Sequence, residues 1–266
     1  MTTSNASNDL PLTVRVSLSS LAKMIDHALL HPTMSDSSIS SGLSICRSYG
    51  VATACVKPYS IPAAVEALQG SDVLVCPVIG FPAGNSTTKV KVFEAREAVL
   101  AGGKEIDMVV NVGKVISSDW EYVEEEIRQI NAAVVAEGGI LKVIFETDYL
   151  KDEQIVKLCE ISSRVGVAFV KTSTGFGFVQ GNDGKYSYTG ATMRHLKLMK
   201  EHTSNGVKIK ASGGVRTLDE VLRCEALGVH RVGTSSTVAI LDKAKKRGIG
   251  EEETEVEVPP VRRSDG

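Results

Sequence analysis

The chain has 266 residues, 42% hydrophobic and 23% charged, a balance that excludes a disordered or fibrous protein and leaves room for a sizeable core. A net charge of -2 excludes the broad cationic surface that nucleic acid or an anionic membrane requires. No apolar stretch approaches the roughly 20 residues needed to cross a bilayer.

Residues 1–12 are rich in Ser, Thr and Asn and lack the basic start and apolar run of a secretory signal, so 1–15 are expected to form a loose tail. From Met24 onward, short β-branched runs alternate with longer segments whose apolar residues recur at helical spacing. Strands are predicted over 24–29, 52–57, 73–79, 105–112, 141–146, 168–172, 208–212 and 231–233. Helices are predicted over 38–49, 61–67, 88–101, 120–136, 152–164, 191–202, 218–226 and 237–247. Such alternation predicts a parallel sheet closed into a single (β/α)8 TIM barrel spanning 16–248. An open doubly wound sheet is the alternative, but no G-x-G-x-x-G follows the first strand. The glutamate-rich 251–257, followed by Pro259, Pro260, Arg262 and Arg263, lacks apolar periodicity, so 249–266 are expected as a flexible solvated tail. The five cysteines show no C-x-x-C pair and are odd in number, which predicts free thiols and a cytoplasmic, reducing location.

A barrel of this kind carries its active site at the C-terminal ends of the strands, which directs attention to the polar residues there. Lys171 follows the apolar Ala168-Phe169-Val170, a setting where desolvation disfavours an ammonium and makes a neutral, nucleophilic amine accessible. An isolated lysine at a strand end more often snorkels into solvent, but the neighbours weigh against that here. Lys210 ends the next strand in order and brings a second ammonium close to Lys171. Asp107 lies between Ile106 and Met108 in a strand of core composition, where a carboxylate requires a cation, and Lys210 is the expected partner. Alternation puts Lys142 and Glu146 on one face, where they either extend this network or form a supporting ion pair. Lys208 falls at a strand start and is read as a bottom-face or solvated lysine.

Phosphate capture has a separate signal. Gly213-Gly214-Val215-Arg216 and Gly233-Thr234-Ser235-Ser236 each stand where a strand turns into a helix, exposing backbone N–H groups beside a helix N-terminus. They follow strands seven and eight, the usual phosphate position in such barrels. The 15-residue segment 176–190 exceeds the usual βα connection of about 2–6 residues. It is either a lid closing over the site through Phe176, Phe178, Tyr186 and Tyr188, or a surface excursion with a hairpin around Asn182-Asp183-Gly184.

Five stretches together resemble the deoxyribose-phosphate aldolase family of Schiff-base enzymes. They are Ile25-Asp26-His27-Ala28-Leu29-Leu30, Glu105-Ile106-Asp107-Met108-Val109-Val110-Asn111, Leu141-Lys142-Val143-Ile144-Phe145-Glu146-Thr147, Lys171-Thr172-Ser173-Thr174-Gly175 and Ser212-Gly213-Gly214-Val215-Arg216. The resemblance covers about 18–247. It implies reversible cleavage of 2-deoxyribose 5-phosphate into glyceraldehyde 3-phosphate and acetaldehyde, with no metal or organic cofactor. Lys171 would hold the acetaldehyde-derived enamine, Lys210 would tune Lys171, and Asp107 would transfer protons with Lys210 and water. Thr174, Gly213, Gly214, Gly233, Ser235 and Ser236 would bind the substrate or its phosphate, with Asp26, Cys55 and Lys142 in support.

The chain departs from the family in two places: Phe176 stands where some relatives carry a phosphate-binding lysine, and a C-terminal tyrosine used by some members is absent from Arg263-Ser264-Asp265-Gly266. The expected partners are a small phosphorylated sugar or aldehyde and further copies of the chain, as a dimer or tetramer, with no nucleic acid and no membrane. Competing readings are a transaldolase-like Schiff-base barrel and a non-catalytic barrel that binds phosphorylated ligands. A metal site at His27 and His31 is disfavoured, because the pair straddles a strand end and Pro32 instead of lying on one helix face. His195 lies in an amphipathic helical segment and reads as a packing or surface residue.

Overall fold

The computed structural model describes residues 13–181, 183–204 and 206–260. The chain enters through β1 (Thr13–Val16) and a short helix α1 (Leu18–Met24), whose Ser17 cap and Ser20 bond each other's backbone N–H reciprocally. The alternation then runs β2 (Ile25–Leu29), α2 (Asp36–Tyr49), β3 (Thr53–Val56), α3 (Ile61–Leu68), β4 (Leu74–Ile79) and α4 (Thr88–Leu100). It continues through β5 (Glu105–Val109), α5 (Val112–Ile116), α6 (Trp120–Ala136), β6 (Ile140–Ile144), α7 (Asp152–Val165) and β7 (Phe169–Lys171). A two-stranded hairpin, β8 (Val179–Gln180) and β9 (Tyr186–Ser187), precedes α8 (Met193–His202), β10 (Lys208–Ser212), α9 (Leu218–Leu227), β11 (Arg231–Thr234), α10 (Thr237–Lys246) and β12 (Thr254–Glu257).

Eight strands close into a parallel barrel in the order β10, β11, β2, β3, β4, β5, β6, β7. This is the predicted (β/α)8 architecture. Ile106, Leu141, Val143, Val170, Ile209 and Val232 are buried between barrel and helices, and the residues of opposite parity point into the barrel interior. That parity sends Asp107, Lys142, Lys171 and Lys210 inward together.

Two parts differ from the sequence expectation. Thr13–Val16 pairs antiparallel with Thr254–Glu257, so residues read as two loose tails form a small sheet. Val16 is buried and Val14 and Val256 pack on the core, which supplies the apolar burial that a polar count alone conceals. Residues 1–12 and the Arg262-Arg263 pair lie outside the described residues. The strand predicted over 105–112 stops at Val109, because Asn111 caps α5 by accepting from the Lys114 N–H.

Candidate active site

The barrel interior is strongly charged. Asp107 Oδ2 accepts from Lys171 Nζ at 2.7 Å and from Lys210 Nζ at 2.8 Å, while its Oδ1 accepts from Lys142 Nζ at 2.9 Å. Lys210 also meets Asp26 Oδ2 at 2.6 Å, and Lys142 meets Glu105 Oε2 at 2.8 Å. Arg231 completes the cluster from β11, with Nη1 at 3.2 Å from Asp26 Oδ1 and 2.9 Å from Glu105 Oε2. Strand register explains the assembly: Asp107 sits opposite Lys142, and Lys210 sits between Lys171 and Arg231.

All of these side chains except Arg231 are buried, so their charges survive only by mutual pairing. Burial opposes the charge on Asp107, but Lys142, Lys171 and Lys210 outweigh it and hold the carboxyl well below the usual carboxylate range. Burial likewise opposes the charges on Lys142 and Lys210, yet the carboxylates around them hold both well above the ordinary lysine value. Asp26 is lowered by Lys210, Lys142 and Arg231 against its own burial.

Above this cluster opens a cavity of about 640 Å³ at the C-terminal ends of the strands. Lys171, Lys210 and Cys55 stand on its floor. Gly213, Gly214, Gly233 and Ser235 line one side together with Arg216, which places backbone N–H groups and a guanidinium on the same wall. Gly213 and Gly190 approach so closely that a Cβ on Gly190 would stand 2.4 Å from the Gly213 carbonyl oxygen, and both have positive φ. The Ala191 N–H then donates to that oxygen at 2.9 Å, tying the β7 loop to the β10 turn.

Two residues expected at the phosphate side are placed differently. Ser236 does not line the cavity; it stands at the N-cap position of α10 without a side-chain capping bond, and its N–H donates to Thr234 Oγ1. Thr174 does line the cavity, but its hydroxyl and its N–H both donate to Glu146, which leaves no donor for a ligand. Glu146 is correspondingly outside the charge network. The strand ends at Ile144, and Glu146 adopts a left-handed φ of 58° that turns its carboxylate to the β7 loop.

A family model described as DeoC/LacD family aldolase matches residues 22–240. The chain belongs to this aldolase family. A deoxyribose-phosphate aldolase of Rhodopirellula baltica is 41% identical over 227 residues, covering 85% of this chain and 90% of that protein. One from Caldanaerobacter subterraneus subsp. tengcongensis is 43% identical over 235 residues, covering 88% and 97%. Among solved structures, a putative deoxyribose-phosphate aldolase from Coccidioides immitis matches with a TM-score of 0.79 at 34% identity, covering 90% and 91% of the two chains. The tetrameric deoxyribose phosphate aldolase of Aeropyrum pernix matches with a TM-score of 0.77 at 28% identity, covering 87% and 93%.

In this DeoC/LacD aldolase the long β7 loop is anchored instead of free. Asp148 accepts from the Thr189 and Gly190 N–H groups at 2.9 Å, and Tyr149 Oη accepts from the Phe178 N–H at 2.7 Å. Phe176 turns inward onto Phe81, with ring centroids 5.6 Å apart, and Tyr188 lines the cavity beside Arg216. Phe178 and Tyr186 face solvent at 61% and 62% exposure, so only half of the loop's aromatic surface serves the site. The expected hairpin is present as β8 and β9, although Asn182 at its tip lies outside the described residues.

His27 and His31 do not converge: His27 Nδ1 meets Thr237 Oγ1 and His31 Nδ1 meets Thr33 Oγ1. His195 is half-buried on α8. No helix among the described residues is long and apolar enough to cross a membrane. Sequence reasoning missed Glu105, Arg231 and Cys76 as members of the site, and quoted Arg216 in the phosphate stretch without giving its side chain a role. Strand parity puts Glu105 on the face of Asp107, but the register that sets Arg231 opposite Lys210, and the closure that covers both, belong to the fold.

Proposed function

We propose that this aldolase cleaves 2-deoxyribose 5-phosphate reversibly into glyceraldehyde 3-phosphate and acetaldehyde through a Schiff base on Lys171. The observation that carries the reading is the junction of Lys171 and Lys210 on one buried oxygen of Asp107 at the cavity floor. Geometry supports it: Lys210 sets a second amino group beside Lys171 on the same Asp107 oxygen, and Lys142, Lys171 and Lys210 together hold Asp107 ionised as a proton acceptor.

The Lys171 amine attacks the aldehyde carbon of the open-chain sugar, and loss of water gives the protonated Schiff base. Asp107, acting with Lys210 and water, takes the proton from the C3 hydroxyl as the C2–C3 bond breaks. The bonding electrons flow into the iminium, which leaves glyceraldehyde 3-phosphate and an enamine on Lys171. Protonation of the enamine carbon and hydrolysis release acetaldehyde. At the other end of the cavity, the backbone N–H groups of Gly213, Gly214, Gly233 and Ser235 bind the phosphate with Arg216, which supplies a cation where Phe176 supplies none.

The experiment is borohydride reduction in the presence of acetaldehyde, followed by peptide mapping. The expected result is a reduced two-carbon adduct on Lys171 and none in Lys171→Met. An adduct confined to Lys210 would overturn the assignment.

A further inference from the structure

Two buried thiols stand beside the reacting groups, and the proposed aldol chemistry uses neither. Cys55 on β3 and Cys76 on β4 are direct partners in the parallel register, and their sulfurs lie within 4.8 Å of each other and of an Asp107 oxygen. Cys55 lines the cavity, with its sulfur 3.5 Å from Lys210 Nζ. Cys76 is not part of the cavity lining; its thiol donates to Asp107 Oδ1 at 3.1 Å and its sulfur accepts from Lys142 Nζ at 3.0 Å. A metal cation held by Cys55, Cys76 and Asp107 is opposed by the ammonium groups of Lys142 and Lys210 pressed against the same atoms.

The pair is also polarised. The adjoining Cys76 thiol outweighs burial and, together with the Lys210 ammonium, draws the Cys55 thiol down to about 7. Burial and the adjoining Cys55 push Cys76 well above the ordinary thiol value. The other three cysteines, Cys46, Cys159 and Cys224, are pushed up to about 12 by burial. Thiolate character and access from the cavity therefore coincide at Cys55 alone among the described cysteines.

We propose that Cys55 and Cys76 form a peroxide-responsive dithiol whose oxidation to a disulfide switches the active site off and whose reduction switches it on. The Cys55 thiolate attacks one oxygen of hydrogen peroxide, the O–O bond breaks, and the released hydroxide takes a proton and leaves as water. The Cys55 sulfenic acid is then attacked by the Cys76 sulfur, and the expelled hydroxide takes the Cys76 proton to leave as a second water. Two electrons pass from the sulfurs to the peroxide oxygens, and a thiol reductant reverses the change.

Geometry permits the bond. Neighbouring strands lie about 4.8 Å apart, inside the roughly 4.4–6.8 Å Cα window of disulfides, and the two sulfurs already lie within 4.8 Å of each other. Closure removes the Cys76 thiol from Asp107 and the sulfur acceptors from Lys142 and Lys210, which disturbs the carboxylate that both site lysines share.

The test treats the purified full chain with hydrogen peroxide and reads three quantities. Peptide mapping without reduction, which does not depend on the aldolase reading, is expected to show Cys55 joined to Cys76 with Cys46, Cys159 and Cys224 still free. The rate of acetaldehyde trapping on Lys171 by borohydride is expected to fall about tenfold or more and to return with dithiothreitol. In Cys76→Ser, with rates normalised to the untreated variant, the loss is expected to become irreversible as Cys55 proceeds to the sulfinic acid. A sulfinic acid on Cys55 of the unmodified sequence, a disulfide using another cysteine, or a Cys55–Cys76 disulfide that leaves trapping unchanged would each overturn the proposal. If Cys76→Ser does not fold, mapping and trapping on the unmodified sequence decide the matter alone.

Discussion

Asp107 Oδ2 is a single acceptor shared by two lysine amino groups, and that sharing makes Lys171 and Lys210 energetically dependent on each other. Removing either Asp107 or Lys210 is expected to slow turnover by about 10²–10⁴. Asp107→Asn and Lys210→Leu combined are expected to cost little more than the worse single change, because each already breaks the unit. Multiplicative rate losses in that cycle would count against coupling. His27 offers a prediction of a different kind. It is 4% exposed on the cavity wall, and burial draws its imidazole from 6.5 down to about 4. Below pH 6.5 the unfolded chain takes up a proton that the folded chain refuses, so this stability is full above 6.5 and is lost as the pH falls toward 4. Between pH 7 and pH 5 the contribution is about 2 kcal/mol. Urea unfolding of His27→Gln is expected to show a pH 7 to pH 5 loss smaller than the original by about that amount, and equal losses would refute it.

Between elements, the pair Lys91 and Glu126 joins α4 to α6 with both side chains fully buried at 2.9 Å. Lys91 Nζ also donates to the Val109 carbonyl at 2.8 Å, and the Asn111 N–H donates to Glu126 Oε2 at 3.0 Å, so the pair clamps the end of the strand that carries Asp107. Lys91→Met strands a carboxylate in the core and is expected to destabilise the fold by about 3–5 kcal/mol. Adding Glu126→Leu is expected to restore most of that loss, measured by thermal or urea unfolding; a double variant no better than the single would argue against the ion pair as the cause. This clamp was invisible in the sequence, where only the helices over 88–101 and 120–136 were read and nothing set Lys91 or Glu126 apart. The barrel itself was legible because each strand and helix obeys its own period, and α6 and β10 have the predicted limits. Asp107, Lys142, Lys171 and Lys210 were legible because a charge in an apolar strand demands a partner. Glu105 and Arg231 were not, since a charge at a strand start is ordinarily solvated, and here only barrel closure covers them. Glu146 forms neither a network extension nor an ion pair with Lys142, the two alternatives its parity offered, because alternation fails once φ turns positive two residues past the strand end.

Across the whole molecule, function is concentrated at one end of the barrel and the chain's described ends at the other. Helix α10 carries the chain back from the catalytic face, and α1 delivers it to the start of β2, so β1 and β12 pair beneath the barrel. Thr13 and Glu257 are register partners there, with Leu18 N–H donating to Gly250 O at 2.7 Å above them. The β1–β12 clasp makes the polypeptide nearly a ring, and a ring has no privileged opening. Joining residue 260 to residue 13 by a short glycine linker and opening the chain in the exposed turn at Glu137–Gly138, on the same lower side, is expected to yield a folded circular permutant. Acetaldehyde trapping on Lys171 within about threefold of the original is the expected readout, whereas an insoluble or inactive permutant would mean that the order of synthesis, and not the closed architecture, governs assembly.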